Sequence, residues 1–123
     1  MNGFVEAADV SELKDGMMKM VNADGKEILL AKVAGKYYAT QNRCNHMGGN
    51  LSQGKLQGTI VTCPRHFSQY DLTDGRVIRW TNLSGIMLTL TKIALPPRPL
   101  KTYQVQIQGD KVLIEARKVT TAG

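Results

Sequence analysis

Every cysteine and histidine of this 123-residue chain falls in two short segments, Cys44-Asn45-His46 and Cys63-Pro64-Arg65-His66, with sixteen residues between them. Each segment supplies one thiol and one imidazole, and neither type occurs elsewhere. Thiolates and neutral imidazoles bind soft and borderline metals, so two sulfurs and two nitrogens could hold a zinc ion. Zinc fingers usually pair like ligands on one element, whereas here each segment carries one of each kind. A two-iron, two-sulfide cluster uses that mixture directly, one iron taking both sulfurs and the other both nitrogens. The count also excludes chemistry. No cysteine is left for a disulfide, and no histidine for a general base or for a mononuclear iron with two histidines and a carboxylate.

The flanking residues extend the pattern. Asn42-Arg43-Cys44-Asn45-His46-Met47-Gly48 and Cys63-Pro64-Arg65-His66 resemble the two cluster loops of Rieske-type [2Fe–2S] ferredoxins. Leu51-Ser52-x-Gly54 and Gly58 to Ile60 resemble the family's linking strands. Tyr70-Asp71-Leu72 and Asp74-Gly75 resemble the strand and turn after the second loop. Pro96-Pro97-Arg98-Pro99-Leu100 and Tyr103-x-Val105 resemble the proline-rich loop and the strand that follows it.

The resemblance implies one Rieske cluster per chain. Cys44 and Cys63 bind the inner iron, and His46 and His66 bind the outer iron at a solvent-facing tip. Met47, Gly48, Arg65, Phe67 and Pro97 surround it, together with the hydroxyls of Ser68 and Tyr70. Phe67 stands where glycine is common in the family, so it shields the cluster or crowds its loop. In high-potential members those two hydroxyls bond to a bridging sulfide and a cysteine sulfur. Those members also have a disulfide between the loops, for which this chain has no cysteine, so the two signals oppose each other. Neutral imidazoles in place of two thiolates raise the potential above that of all-cysteine clusters.

The implied fold is all-β: a sandwich or barrel base with a small cluster-binding subdomain carried on two loops. A single domain over 1–123 would divide into a cluster part near 41–101 and a base near 1–40 and 102–117. The implied function is one-electron transfer between a reductase and a terminal oxidoreductase. A Rieske subunit of a larger oxidoreductase, of oxygenase or nitrite reductase type, is the second reading. A zinc-stabilised binding module is the third.

Length and composition agree with one globular domain, 42% hydrophobic. The first residues lack the basic-then-apolar pattern of a signal peptide, and no apolar run approaches the ~20 residues of a membrane helix. The expected location is cytoplasmic. Turn signals at Ala23-Asp24-Gly25, Ala34-Gly35-Lys36, Thr73-Asp74-Gly75 and Gly109-Asp110 separate β-favouring runs. Ile28 to Val33 and Lys36 to Thr40 read as one hairpin, and Tyr103 to Ile107 and Val112 to Glu115 as another. In the latter Tyr103, Val105 and Ile107 alternate with glutamines, the period of a strand with one wet face. Asp9 to Leu13 reads as a short helical turn capped by Asp9 or Ser11. Residues 118–123 read as a frayed end.

About twenty residues after Gly75 depart from the family pattern. Ile86, Leu90 and Ile93 fall at helical spacing there, as in a helix starting near Ser84, within a packed insertion or a docking surface or dimer contact.

The net charge of +6 lies wholly between Gln41 and Lys101, which contains eight basic and two acidic residues. This predicts a basic face, either simply solvated or steering toward an acidic redox partner. Aromatics do not interleave with the basic residues, which argues against nucleic acid.

Overall fold

The computed structural model describes residues 3–44, 49–64, 68–79 and 99–116. These residues form eleven strands: β1 (Phe4–Asp9), β2 (Met17–Ala23), β3 (Lys26–Val33), β4 (Lys36–Gln41), β5 (Lys55–Gln57), β6 (Ile60–Thr62), β7 (Gln69–Asp71), β8 (Val77–Arg79), β9 (Thr102–Tyr103), β10 (Val105–Gln108) and β11 (Lys111–Glu115). Three antiparallel sheets result, ordered β1-β11-β10, β2-β3-β4-β9 and β5-β6-β7-β8. The all-β expectation holds. Among the described residues, no helix is long and apolar enough to cross a membrane.

Two-residue turns connect β2 to β3 and β3 to β4. Asp24 and Gly25 have φ of 53° and 76°, Ala34 and Gly35 of 51° and 80°. Two successive left-handed residues match the twist of the flanking strands. Alanine tolerates that conformation poorly, at about 1–2 kcal/mol, yet the β3–β4 pairing from Ile28–Gln41 to Val33–Lys36 keeps Ala34 in it.

β3 is the keystone of the molecule. Ile28, Leu29, Leu30 and Ala31 are all fully buried. Side chains alternate across a strand, so both faces of β3 must be covered. Ile28 and Leu30 join Leu13, Val21, Val112 and Ile114 in one core, against the β1-β11-β10 sheet. Leu29 and Ala31 join Cys44, Leu51, Val61, Cys63, Tyr70, Leu72 and Leu100 in a second core, against the β5–β8 sheet. Each buried leucine or isoleucine contributes roughly 1.5–3 kcal/mol, so one strand ties the β1-β11-β10 sheet to the cysteine-bearing core.

Several expectations change. Tyr103 to Ile107 is not one strand. β9 pairs with β4 through Tyr103–Ala39, whereas β10 pairs with β11 from Val105–Ile114 onward. The chain crosses between sheets at Gln104, and a single hydrophobic period runs through the crossing. Ile107 is 44% exposed, because β10 is an outer strand. Leu51-Ser52-x-Gly54 is no strand: Leu51–Gln53 is a 3-10 turn, and pairing begins at Lys55. Gly58, with φ 56°, lies in the turn between β5 and β6.

The turn expected near Asp9 is the 3-10 segment Val10–Glu12, with Asp9 rather than Ser11 as its cap residue. The Glu12 carboxylate accepts the Asp9 N–H at 2.7 Å. The hydrophobic period at Ile86, Leu90 and Ile93 and the frayed end at 118–123 lie outside the described residues.

Candidate metal centre

The two cysteines begin two loops of the same construction. In the first, an antiparallel bridge pairs Arg43 with Asn50, and the Cys44 N–H donates to the Gly49 carbonyl at 2.7 Å. In the second, Thr62 pairs with Gln69, and the Cys63 N–H donates to the Ser68 carbonyl at 2.7 Å. Each cysteine therefore occupies the first position of a six-residue loop whose base is closed by its own amide. Cys44 is 3% exposed and Cys63 is fully buried, and neither is disulfide-bonded. Both belong to the core that β3 covers. Of the other predicted site residues, His46, Met47, Gly48, Arg65, His66, Phe67 and Pro97 lie outside the described residues.

Ser68 and Tyr70 are fully buried. Tyr70 stands on β7 opposite Val61, and its hydroxyl lies 3.3 Å from Cys44 Sγ. If that sulfur is a thiolate, only the phenol has a proton to give, and the bond becomes charge-assisted. Ser68 contributes its carbonyl to the base of the second loop.

Glycine permits the closest approach in the region. A Cβ on Gly54 would lie 1.9 Å from the Thr62 carbonyl oxygen and 3.1 Å from Pro64 Cδ. The return of the first loop thus rests on the backbone that carries Cys63. A Cβ on Gly75 would lie 2.2 Å from the Leu100 carbonyl oxygen. The Leu100 N–H donates to Gly75 there at 2.7 Å, which brings Leu100 into the second core.

Asp71 secures this turn. Burial disfavours its charge, but the N–H and hydroxyl of Thr73, at 3.0 and 2.7 Å, outweigh that cost together with the Thr59 hydroxyl and the Arg76 guanidinium. Its carboxyl is held below the ordinary value of 3.8. A depressed folded value stabilises the fold above the unfolded pKa, and that contribution is lost as pH falls through the folded value. Asp71→Asn is therefore expected to be less stable than the parent at pH 7. The difference should shrink below about pH 4, as read from urea unfolding at the two pH values.

The predicted basic face is partly neutralised. Arg43 pairs with Glu27 at 3.4 Å, and Arg76 with Asp71 at 3.3 Å. Glu27 lies outside the 41–101 segment in sequence, so a count along the chain missed the first pairing. Lys55 and Lys101 are exposed and enter no ion pair among the described residues, though Lys101 sits 5.3 Å from the Tyr103 ring centre.

A strand-rich chain with two matched cysteine loops over a common core is the architecture of a known family. Residues 3–113 match the Rieske [2Fe–2S] domain, and the chain belongs to that family. It is 31% identical over 112 residues to the ferredoxin component of the naphthalene 1,2-dioxygenase system of Pseudomonas aeruginosa, covering 91% of this chain and 94% of that protein. It is 30% identical to the biphenyl dioxygenase ferredoxin subunit of Pseudomonas sp. (strain KKS102), covering 91% of each. The structure of Sphingomonas yanoikuyae B1 ferredoxin superposes with a TM-score of 0.70 at 27% identity, covering 89% of this chain and 95% of that one.

The cofactor is a Rieske-type [2Fe–2S] cluster, and the zinc alternative falls. The sulfur environment fits such a group. Both thiols lie in one apolar core, and a buried phenol faces one sulfur.

Proposed function

We propose that this chain is the ferredoxin component of an oxygenase system, taking one electron from a reductase and passing it to a terminal oxygenase. The observation that carries the reading is the pair of cysteines, both buried and each closing its segment with its own amide, in a chain matching ferredoxin components over nearly their whole length. The bound cluster supplies reversible one-electron chemistry. Cys44 and Cys63 would hold one iron as thiolates, and His46 and His66 would hold the other. Ser68, Tyr70, Met47, Gly48, Arg65, Phe67 and Pro97 would surround the cluster. The chain is one domain, with the cluster part near 41–101 on a base near 1–40 and 102–117, and it works in the cytoplasm without catalysing substrate chemistry itself.

The core keeps water from the sulfurs, and the loop amides hold both cysteines at fixed depth. Tyr70 tunes the centre. An O–H directed at sulfur stabilises the more negative, reduced state. Tyr70→Phe is expected to lower the midpoint potential by roughly 40 mV, for a hydrogen bond of about 1 kcal/mol and one electron. Voltammetry of parent and variant reads this directly. An unchanged potential would remove Tyr70 from the tuning.

The partner presents an acidic surface to the basic face. The test is stopped-flow transfer from the reduced, cluster-loaded protein to an oxygenase of the naphthalene or biphenyl type. The second-order rate is expected to fall as salt screens charges beyond ~8–10 Å. Lys55→Glu and Lys101→Glu should each lower it at low salt. No transfer to either oxygenase would overturn the carrier reading. A rate indifferent to salt and to both reversals would overturn only the acidic docking surface.

A further inference from the structure

Asn42 is 2% exposed, and a primary amide at that depth must have its polar atoms bonded. Its side-chain carbonyl accepts the Ser52 N–H at 3.0 Å, and its side-chain nitrogen donates to Asn50 Oδ1 at 3.4 Å. Its backbone carbonyl accepts the Leu51 N–H at 2.8 Å. All three partners lie at the far end of the first loop. A residue two positions before Cys44 therefore holds the loop's return, which strand pairing secures, among the described residues, through the Arg43–Asn50 bridge.

The neighbouring amide ties the same point to a distant segment. Gln41 Nε2 donates to the Arg43 carbonyl at 2.7 Å, while its Oε1 accepts the Lys101 N–H at 2.8 Å. The departure of the first loop is thus anchored by Gln41 and its return by Asn42. The Tyr70 hydroxyl that meets Cys44 Sγ at 3.3 Å comes from a different sheet. Whether sulfur and phenol stay in reach depends on how the loop is held against β7. A hydrogen bond weakens steeply when its partners separate or misalign.

We infer that Asn42 is a positioning residue of the centre: its amide fixes the return of the first loop and so keeps Cys44 Sγ within reach of the Tyr70 hydroxyl. Asn42 acts through the loop. The inference rests on the reading of Cys44 as a ligand. It predicts that Asn42 and Tyr70 act on one quantity. Losing the amide lets the loop drift, and the drift matters to the potential only while a phenol proton is there to be lost.

The test is a double-mutant cycle on cluster-loaded protein, comparing parent, Asn42→Ala, Tyr70→Phe and the double variant by voltammetry. Asn42→Ala is expected to lower the potential in the same sense as Tyr70→Phe, and the double variant should fall no further than Tyr70→Phe alone. Bleaching of the visible absorption by an iron chelator should quicken several-fold in Asn42→Ala. It should return toward the parental rate in Asn42→Asp, which keeps the acceptor for the Ser52 N–H. If Asn42→Ala does not fold, Asn50→Ala at an exposed position takes its place in the cycle, with a smaller shift of the same sign. A parental potential in the alanine variant, or a shift that adds in full to that of Tyr70→Phe, would overturn the positioning role. Parent protein without acid-labile sulfide would instead overturn the ligand reading on which it rests.

Discussion

Cys63→Ala and Cys44→Ala are each expected to yield protein without acid-labile sulfide and without visible absorption. One iron would be held by two thiolates, and removing one leaves a coordination position that no other thiol or imidazole can fill, since the chain has no third cysteine and no third histidine. Both cysteines are buried among apolar side chains, which disfavour water in the missing place. The steric cost of the change is small, because cysteine and alanine differ by one atom. The cofactor loss is therefore the main effect, and unfolding follows from it, as cluster binding stabilises the fold that forms the site. Iron and sulfide analysis of anaerobically purified variants decides the matter. A full complement of both in either variant would remove that cysteine from the ligand set.

Gly54→Ala is expected to destabilise the protein by about 3 kcal/mol, which lowers its melting temperature by roughly 10 °C. The reason is not backbone conformation, since Gly54 has φ of −87°, which any residue adopts. It is space. The new methyl would stand 1.9 Å from a backbone carbonyl oxygen, and backbone yields less than the end of a side chain. Relief requires moving Thr62, and Cys63 is the next residue. The same substitution should lower the fraction of protein that retains its cluster. Thermal unfolding with parallel iron analysis tests both effects. Unchanged stability would mean that the first-loop return and the Thr62 backbone can separate freely.

Local chemistry made part of this protein readable from its sequence. The mixed cysteine and histidine segments named the candidate donors, because ligand type is a property of the residue. Asp24-Gly25, Ala34-Gly35 and Gly109-Asp110 marked the turns, because left-handed backbone favours few residue types. The hairpin of β3 and β4 followed from those turns. The placement of Tyr70 beside a cysteine sulfur came from family resemblance, and the structure agrees at 3.3 Å.

Other features depend on segments distant in the chain. An apolar run such as Ile28 to Ala31 has no period that says which side chain enters which core, and only the sheets packed on its two faces decide. The alternation from Tyr103 to Ile107 read as one strand because hydrophobic period does not record which neighbour accepts the hydrogen bonds. Arg43 counted toward the basic excess of its segment until β3 brought Glu27 beside it. Asn42 and Gln41 carry no motif at all. Their amides matter because folding brings Ser52 and Lys101, ten and sixty residues further along the chain, within 3.0 Å of them. Composition and spacing determined which atoms could bind the metal, whereas burial and long-range backbone contacts, which exist only once the sheets have packed, decided how those atoms are held.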